Sequence, residues 1–434
     1  MKTTKSQQIE WGPFSRKHKI YIRDAAKNRL NVAEGAIRSG KTIDHCIIAA
    51  DYLEFCRDKY HLASGSTLAN AKLNIGVCNG YGLENLFRGR CWWGKYMDNS
   101  ALFINTKTGL KIVIFVGGGK ADSYKKILGN SYGLWIATEI NEHYISDDSR
   151  SSFISVAFGR QVAAKDPKIL WDLNPCSPRH KIYKKYIDYY ANEVEFGGGY
   201  QYQHFTMRDN LTITAERRKE LESQYTKGSL WWRRDIDGER CVAEGLVYPN
   251  HEKAIEEPPA DHQPEEYVLS IDYGTQNPFA ALLFAKYGRR WYAVREYYYS
   301  GRETGIQKTD GQYLKDLKGW LADILPEEGT GRRLETIIDP SAASFITELH
   351  KSRLFRVRPA DNKVADGIRE TANAIENEYL KVSPRCKNTI EEFGAYVWDP
   401  EEEDDTPVKD NDHAMDAMRY FVKTKNVIKI ASRR

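Results

Sequence analysis

The segment Gly35-Ala36-Ile37-Arg38-Ser39-Gly40-Lys41-Thr42 fits the pattern GxxxxGK[ST]. It follows LNVAEG, which reads as a strand. It precedes a run with Ile43, Ile47 and Ala50 on one helical face. A strand, this loop and a helix make a phosphate site. Consecutive backbone N–H groups of such a loop converge on phosphate oxygens, and the positive end of the helix dipole lies behind them. Lys41 would reach the β- and γ-phosphates of a nucleotide such as ATP, and the Thr42 hydroxyl would hold Mg²⁺. All eight loop residues are candidate nucleotide contacts.

Hydrolysis also needs an acid at the end of a neighbouring strand. GLWIATEINEH supplies one: Leu134 to Ala137 reads as an apolar strand, and Glu139 stands at its end, placed to polarise an attacking water. Position 138, where such sites carry the Asp that backs the Mg²⁺, is Thr. Its hydroxyl can still bond a metal-bound water, but the charge is gone. Glu142 is a second acid three residues on. Arg38 either swings onto the γ-phosphate as an arginine finger or pairs with a carboxylate and shapes the loop. Arg160 is the rival finger, acting on a neighbouring subunit.

A second set of acids lies further along. Asp272 closes the apolar stretch YVLSID, Asp339 closes ETIID, and Asp416 lies in the helical DHAMDAMRY. Acids at strand ends are exposed at the rim of a sheet, and three of them can hold two divalent ions about 4 Å apart that activate water and stabilise a leaving oxygen. Oxygen ligands favour Mg²⁺ or Mn²⁺ over zinc. Asp412 and His413 share a helical face with Asp416. Asp412 is a further candidate, as a ligand or as a partner to one, and His413 either steadies a ligand or the substrate or is structural. The order strand-strand-strand-helix-strand-helix, with acids on the first and fourth strands and the last helix, is the plan of a ribonuclease H-like fold.

The elements that must position these groups fill 434 residues, enough for two or three domains. With 41% hydrophobic and 29% charged residues the chain reads as globular, not disordered, collagen-like or membrane-embedded. The longest apolar run, Phe279 to Ala285, is too short for a membrane span. The charged N-terminus lacks the apolar stretch of a signal peptide, so a cytoplasmic location is expected. Seven cysteines without a CxxC pair fit a reducing compartment. The net charge is only +4. The basic tail KTKNVIKIASRR either touches phosphates or frays into solvent, and the clustered tyrosines read as partly buried structure more than as base-stacking platforms.

Two segments read as breaks: 251–267, rich in proline and charge, and the acidic 399–412. The expected fold class is α/β. Residues 1–255 should form a P-loop domain with a mainly parallel sheet and a small linker subdomain near 200–255. Residues 256–434 should form the ribonuclease H-like domain. Strands are also expected at KLNIGVC, LKIVIFV and KILWDLN, and helices at PRHKIYKKYIDYY and TAERRKELESQY.

From about Phe14 to Val422 the chain resembles the large terminase subunit of tailed bacteriophages. PFSRKHKIYIRD is similar to the adenine-side motif, with His18 or Lys19 where Gln is frequent. GAIRSGKT is similar to Walker A, and LWIATE to Walker B with its catalytic Glu. LWDLNPCSPRHKIYKKYID resembles the coupling motif, centred on Asn174 and Pro175. SIDYG, IIDPS, NKVADGIRE and DHAMDAMRY resemble the nuclease motifs. The resemblance implies an ATP-driven motor that pumps double-stranded DNA into a procapsid, and a metal-dependent nuclease that cuts the concatemer. It also implies a small terminase subunit, a portal protein and a ring, usually pentameric, as partners. The setting would be the host cytoplasm, with transient docking on the procapsid. The residues by themselves also leave room for another ATP-dependent nuclease or helicase-like enzyme, against which a single P-loop counts. A degenerate DNA-binding scaffold, favoured only by Thr138, is the remaining alternative.

Overall fold

The computed structural model describes residues 11–225, 227–274, 278–325, 331–400, 402 and 405–428. The N-terminal charges before Trp11, part of the acidic run and the end of the basic tail lie outside the described residues. The chain forms two compact units, one of Met1–Ser223 with Lys227–Val242 and one of Gln224–Thr226 with Ala243–Arg434. The division thus falls ahead of the expected break at 255. Residues at the start of that break belong to the second unit, where Ile255 bridges Val382.

The first unit is built on an eight-stranded sheet. Its strands are β1 (Leu30–Gly35), β2 (Tyr60–Gly65), β3 (Cys91–Tyr96), β4 (Asn99–Thr106), β5 (Gly109–Gly117), β6 (Leu134–Ala137), β7 (Lys168–Leu173) and β8 (Tyr200–Phe205), in the order β3-β4-β5-β2-β6-β7-β1-β8. The pairs from β5 to β8 are parallel, and β3 and β4 extend the sheet antiparallel. The strand β8, at the start of the expected linker segment, is the edge strand of this sheet. Parallel strands are covered on both faces, and β1 and β7 are buried throughout. One face packs Trp135 edge-on against Trp171 with ring centroids 5.2 Å apart, and Phe158 closes over both. The other face holds Ala33, Leu53, Ile136 and Leu170. Polar side chains inside such strands must find partners; Glu34 in β1 and Asp172 in β7 are therefore informative.

One expected strand is helical. KLNIGVC continues a helix begun at Leu68–Ala71, which Thr67 caps by accepting from the Asn70 N–H. Of its apolar residues, Ile75 is buried while Leu73 and Val77 are exposed. A capped helix start just ahead of the segment favours its continuing as helix.

The second unit carries six strands: β9 (Glu266–Asp272), β10 (Phe279–Tyr287), β11 (Arg290–Tyr299), β12 (Leu334–Ile338), β13 (Phe355–Pro359) and β14 (Leu380–Val382), ordered β13-β12-β9-β10-β11-β14. β9, β10 and β11 form an antiparallel meander, and β12 and β13 add parallel to β9. This is the ribonuclease H-like order. Alternation along the central strands sends Leu269, Ile271, Phe279, Ala281 and Leu283 toward the helices Asp310–Trp320 and Ala343–Ser352, whose Tyr313, Leu317, Phe345 and Leu349 complete that core. The opposite face receives the helix His413–Lys425, where Phe421 stacks on Phe284 at 3.8 Å.

Candidate functional site

The loops after β1, β6 and β7 share the carboxyl edge of the first sheet because those strands are parallel, which is where α/β sheets bind ligands. A cavity of about 590 Å³ opens there, lined by Lys41, Thr42, Thr138, Glu139, Asp172 and Asn174 among others. The helix Lys41–Phe55 starts from Gly40, whose φ of 99° suits glycine and where a Cβ would sit 3.2 Å from the His18 ring. The Ala36 and Ile37 amides bond the Phe205 and Asp235 carbonyls and so brace the loop.

Lys41 is buried, and its ammonium is held by Gly35 O (2.8 Å), Ala36 O (2.7 Å), Asn174 Oδ1 (3.1 Å) and Ser39 Oγ (3.3 Å). The lysine thus folds back into its own loop and must leave some acceptors to reach a phosphate. Burial pushes its pKa down to about 8, with the Asp172 and Glu34 carboxylates pulling it back up. Glu139 adopts a left-handed backbone (φ 53°) and accepts from Asn70 at 3.3 Å. Arg38 is also left-handed (φ 58°), exposed, and makes no ion pair among the described residues. Such φ values in non-glycine residues cost energy and gather at functional sites. Glu142 is exposed and outside the cavity lining. Arg160 lies at the other edge of the sheet, its carbonyl accepting from Tyr132 just before β6.

A second cavity, about 390 Å³, shares Ser39, Gly40 and Ile43 with the first and is walled by Trp11, Phe14, His18 and Tyr81. His18 stacks on Phe205 at 4.4 Å, and its Nδ1 lies 2.5 Å from Asp44 Oδ2. Its Nε2 is buried without a hydrogen bond. Burial raises the Asp44 carboxyl to about 6, against the bond to His18. Of the two residues expected on the adenine side, His18 lines this space and Lys19 is exposed. Aromatic walls beside a phosphate loop suit a purine base.

Sequence reasoning missed the support behind the loop. Glu34 accepts from Arg240 Nη2 at 2.6 Å and Nε at 3.0 Å, from Tyr183 at 2.5 Å and from Tyr202 at 2.8 Å. Arg240 also bonds Asp188 at 2.7 Å. No spacing rule could connect residues this distant in the chain.

In the second unit, Asp272 ends β9, Asp339 follows β12 and Asp416 lies in the first turn of the last helix. All three act on the buried Tyr420 phenol, whose pKa burial raises and their charge raises further. His413 Nδ1 lies 2.9 Å from Asp272 Oδ2. Arg419 donates to Asp416 Oδ1 at 2.8 Å, and Asn362 to Asp339 Oδ2 at 2.9 Å. Burial lifts the Asp272 carboxyl above its usual range; the His413 bond opposes this and the Asp416 charge adds to it. Asp412 is raised by burial and by Asp416. For Asp339 burial is outweighed by bonds from Ser341, Asn362 and Tyr420, which leave it low. The His413 ring loses to burial but gains more from Asp272, and ends above its usual value.

No three such acid or imidazole groups converge on one point among the described residues. The donor set nevertheless fits a hard cation. All the acids offer oxygen, their charges repel one another, and Asp272 and Asp416 each leave a second oxygen without a protein hydrogen bond among the described residues. Glu392, also unforeseen, anchors this helix: its carboxylate accepts from the Ala414 and Met415 amides at 2.7 and 3.2 Å and from Tyr298 at 2.8 Å.

No family model matches the chain, and no curated sequence is similar to it. Solved structures are. The large terminase from a thermophilic bacteriophage is 29% identical, with a TM-score of 0.82 over 95% of this chain and 99% of that one. The same protein in complex with ADP gives 0.80 over the same shares, and in complex with ATP-gamma-S 0.79 over 94% and 98%, both at 29% identity. Along nearly its whole length, therefore, the chain resembles the large terminase subunit of tailed bacteriophages, a P-loop unit followed by a ribonuclease H-like unit.

Proposed function

We propose that this chain hydrolyses ATP to drive double-stranded viral DNA into a procapsid, and that it cuts concatemeric DNA with divalent metal. The observation that carries this is the presence in one chain of two chemistries. Lys41, Thr42 and Glu139 line one cavity at the carboxyl edge of the first sheet, and Asp272, Asp339 and Asp416 of the second unit all act on the Tyr420 phenol. The likeness to a terminase solved with ADP and with ATP-gamma-S supports the first.

At the nucleotide site the amides from Arg38 to Thr42 and the Lys41 ammonium bind phosphates, and Thr42 offers its hydroxyl to Mg²⁺. Bound Mg²⁺ would neutralise charge on the phosphates. Glu139 orients the attacking water, and Arg38 in cis or Arg160 of a neighbouring copy compensates charge at the γ-phosphate. Asn174 gives the coupling step a physical basis. Its side chain accepts from the Lys41 ammonium, so a shift of Lys41 toward or away from phosphate changes a bond made by the residue that follows β7, with Pro175 next in the chain. At the second site Asp272, Asp339 and Asp416, with Asp412 beside them, would hold the cations. His413 positions Asp272, and Arg419 positions Asp416.

The partners that follow are double-stranded DNA, a small terminase subunit, a portal protein and further copies in a ring, pentameric when docked. The setting is the host cytoplasm. No helix among the described residues is long and apolar enough to cross a membrane.

The test is incubation of the purified chain with supercoiled plasmid and Mn²⁺, Mg²⁺ or EDTA, without ATP, beside Asp272→Ala. Cutting that needs metal and disappears in the variant is the expected result. Cutting that persists in Asp272→Ala would sink the acid assignments.

A further inference from the structure

Phosphate loops need a carboxylate behind the hydroxyl that holds Mg²⁺, and it usually comes from the strand that also ends in the catalytic acid. Here that strand is β6, and the position is Thr138. The register of the sheet supplies the missing charge. β6 runs parallel to β7 with Ala137 opposite Trp171. The next residues, Thr138 and Asp172, therefore stand side by side on one face. The Thr138 hydroxyl donates to Asp172 Oδ1 at 3.1 Å, and the Glu139 amide donates to the same oxygen at 3.1 Å. The Thr42 side chain also favours the ionised form of this carboxylate.

Asp172 lines the same cavity as Lys41, Thr42 and Glu139. It is 4% exposed, in a strand buried on both faces. A buried carboxylate needs strong compensation. Lys41, the lysine acting on it, spends its hydrogen bonds on Gly35, Ala36, Ser39 and Asn174. The His45 ring stands 3.9 Å away, and burial pushes its pKa down to about 3, so it carries no charge near neutrality. Burial raises the Asp172 carboxyl, the nearby Lys41 charge opposes this without a direct hydrogen bond, and the neutral donors fix its orientation. β7 lies between β6 and β1, which brings the charge one strand nearer the loop than position 138 would.

We propose that Asp172 is the outer-sphere carboxylate for the Mg²⁺ of the bound nucleotide, moved from β6 to the adjacent position on β7, and that Thr138 is the donor that fixes it. The inference rests on the nucleotide site proposed above. It makes Thr138 a working residue and not a decayed one. It predicts that an Asp at 138 alone is harmful, since two buried carboxylates would then face each other.

The experiment measures ATP-gamma-S affinity with Mg²⁺ and with EDTA for the full chain, Asp172→Asn, Thr138→Val, and the exchange Thr138→Asp with Asp172→Asn. Wild type should bind more tightly with Mg²⁺. Asp172→Asn should lose about tenfold or more of that gain while its affinity in EDTA stays unchanged, a split that a merely structural role would not produce. Thr138→Val should lose part of the gain, and the exchange should recover part of it. Full retention of the Mg²⁺ gain in folded Asp172→Asn overturns the inference alone. If that variant does not fold, full retention in Thr138→Val overturns it instead. No binding by wild type in either condition overturns the nucleotide site and this inference together.

Discussion

Lys41 meets four acceptors with three N–H donors, so its resting arrangement is already oversubscribed. A phosphate would replace part of this set, and its charge would oppose the lowering of the Lys41 pKa by burial. Lys41→Ala is expected to abolish ATP hydrolysis and to leave metal-dependent plasmid cutting at the wild-type rate. Both are read on the same preparation, and loss of cutting in a folded variant would break the two-site assignment. The loop was legible from sequence because its pattern resides in eight consecutive residues. Asp172 was not legible. An Asp inside LWDLN looks like any polar residue near a strand end, and only the pairing of β6 with β7 sets it beside Thr138. His18 shows the same division: the motif pointed to His18 or Lys19, and the burial of one face of Arg16–Asp24 chose His18.

At the scale of elements, β1 is held to the chain beyond β8 by the Glu34–Arg240 pair, with the Arg240 guanidinium 3.8 Å above the Tyr183 ring. Arg240→Ala would leave Glu34 buried and unpaired, at a cost of about 3 kcal/mol or more, measured by chemical denaturation. Arg240→Lys should recover little, since an ammonium cannot reproduce the two-pronged contact. In the second unit Glu392 holds the N-terminal amides of His413–Lys425 and so sets the placement of Asp416. Burial raises the Glu392 carboxyl to about 7, above its usual 4.5, against the bonds from Tyr298 and the amides. A raised folded pKa means the folded state binds the extra proton. Its contribution is full below 4.5 and is lost as pH rises to about 7. Thermal denaturation of wild type beside Glu392→Gln should therefore show wild type losing ground across that window and no further change above it. A constant difference across the window would refute the titration.

At the scale of the molecule, two units with separate sheets and separate cores carry the two candidate sites. Hydrogen exchange should register this division. ATP-gamma-S with Mg²⁺ is expected to slow exchange at 35–42, 138–139 and 172–174, and Mn²⁺ without nucleotide at 272, 339 and 412–416. Protection by nucleotide confined to the second set would reassign the nucleotide site. The sequence by itself determined the α/β fold class and singled out the phosphate-loop pattern, Glu139 and the three acids as candidates. Each depends on a contiguous stretch whose local geometry (a strand end, a helix start, a run of amides) follows from the residue types in order. Only the tertiary structure decided where the units divide, that β8 joins the main sheet and that KLNIGVC is helical. It alone decided that Asp172, Arg240 and Glu392 stand behind the sites. Those outcomes depend on strand register and on buried charges finding partners far along the chain, and a linear pattern does not encode which distant residue will be brought alongside.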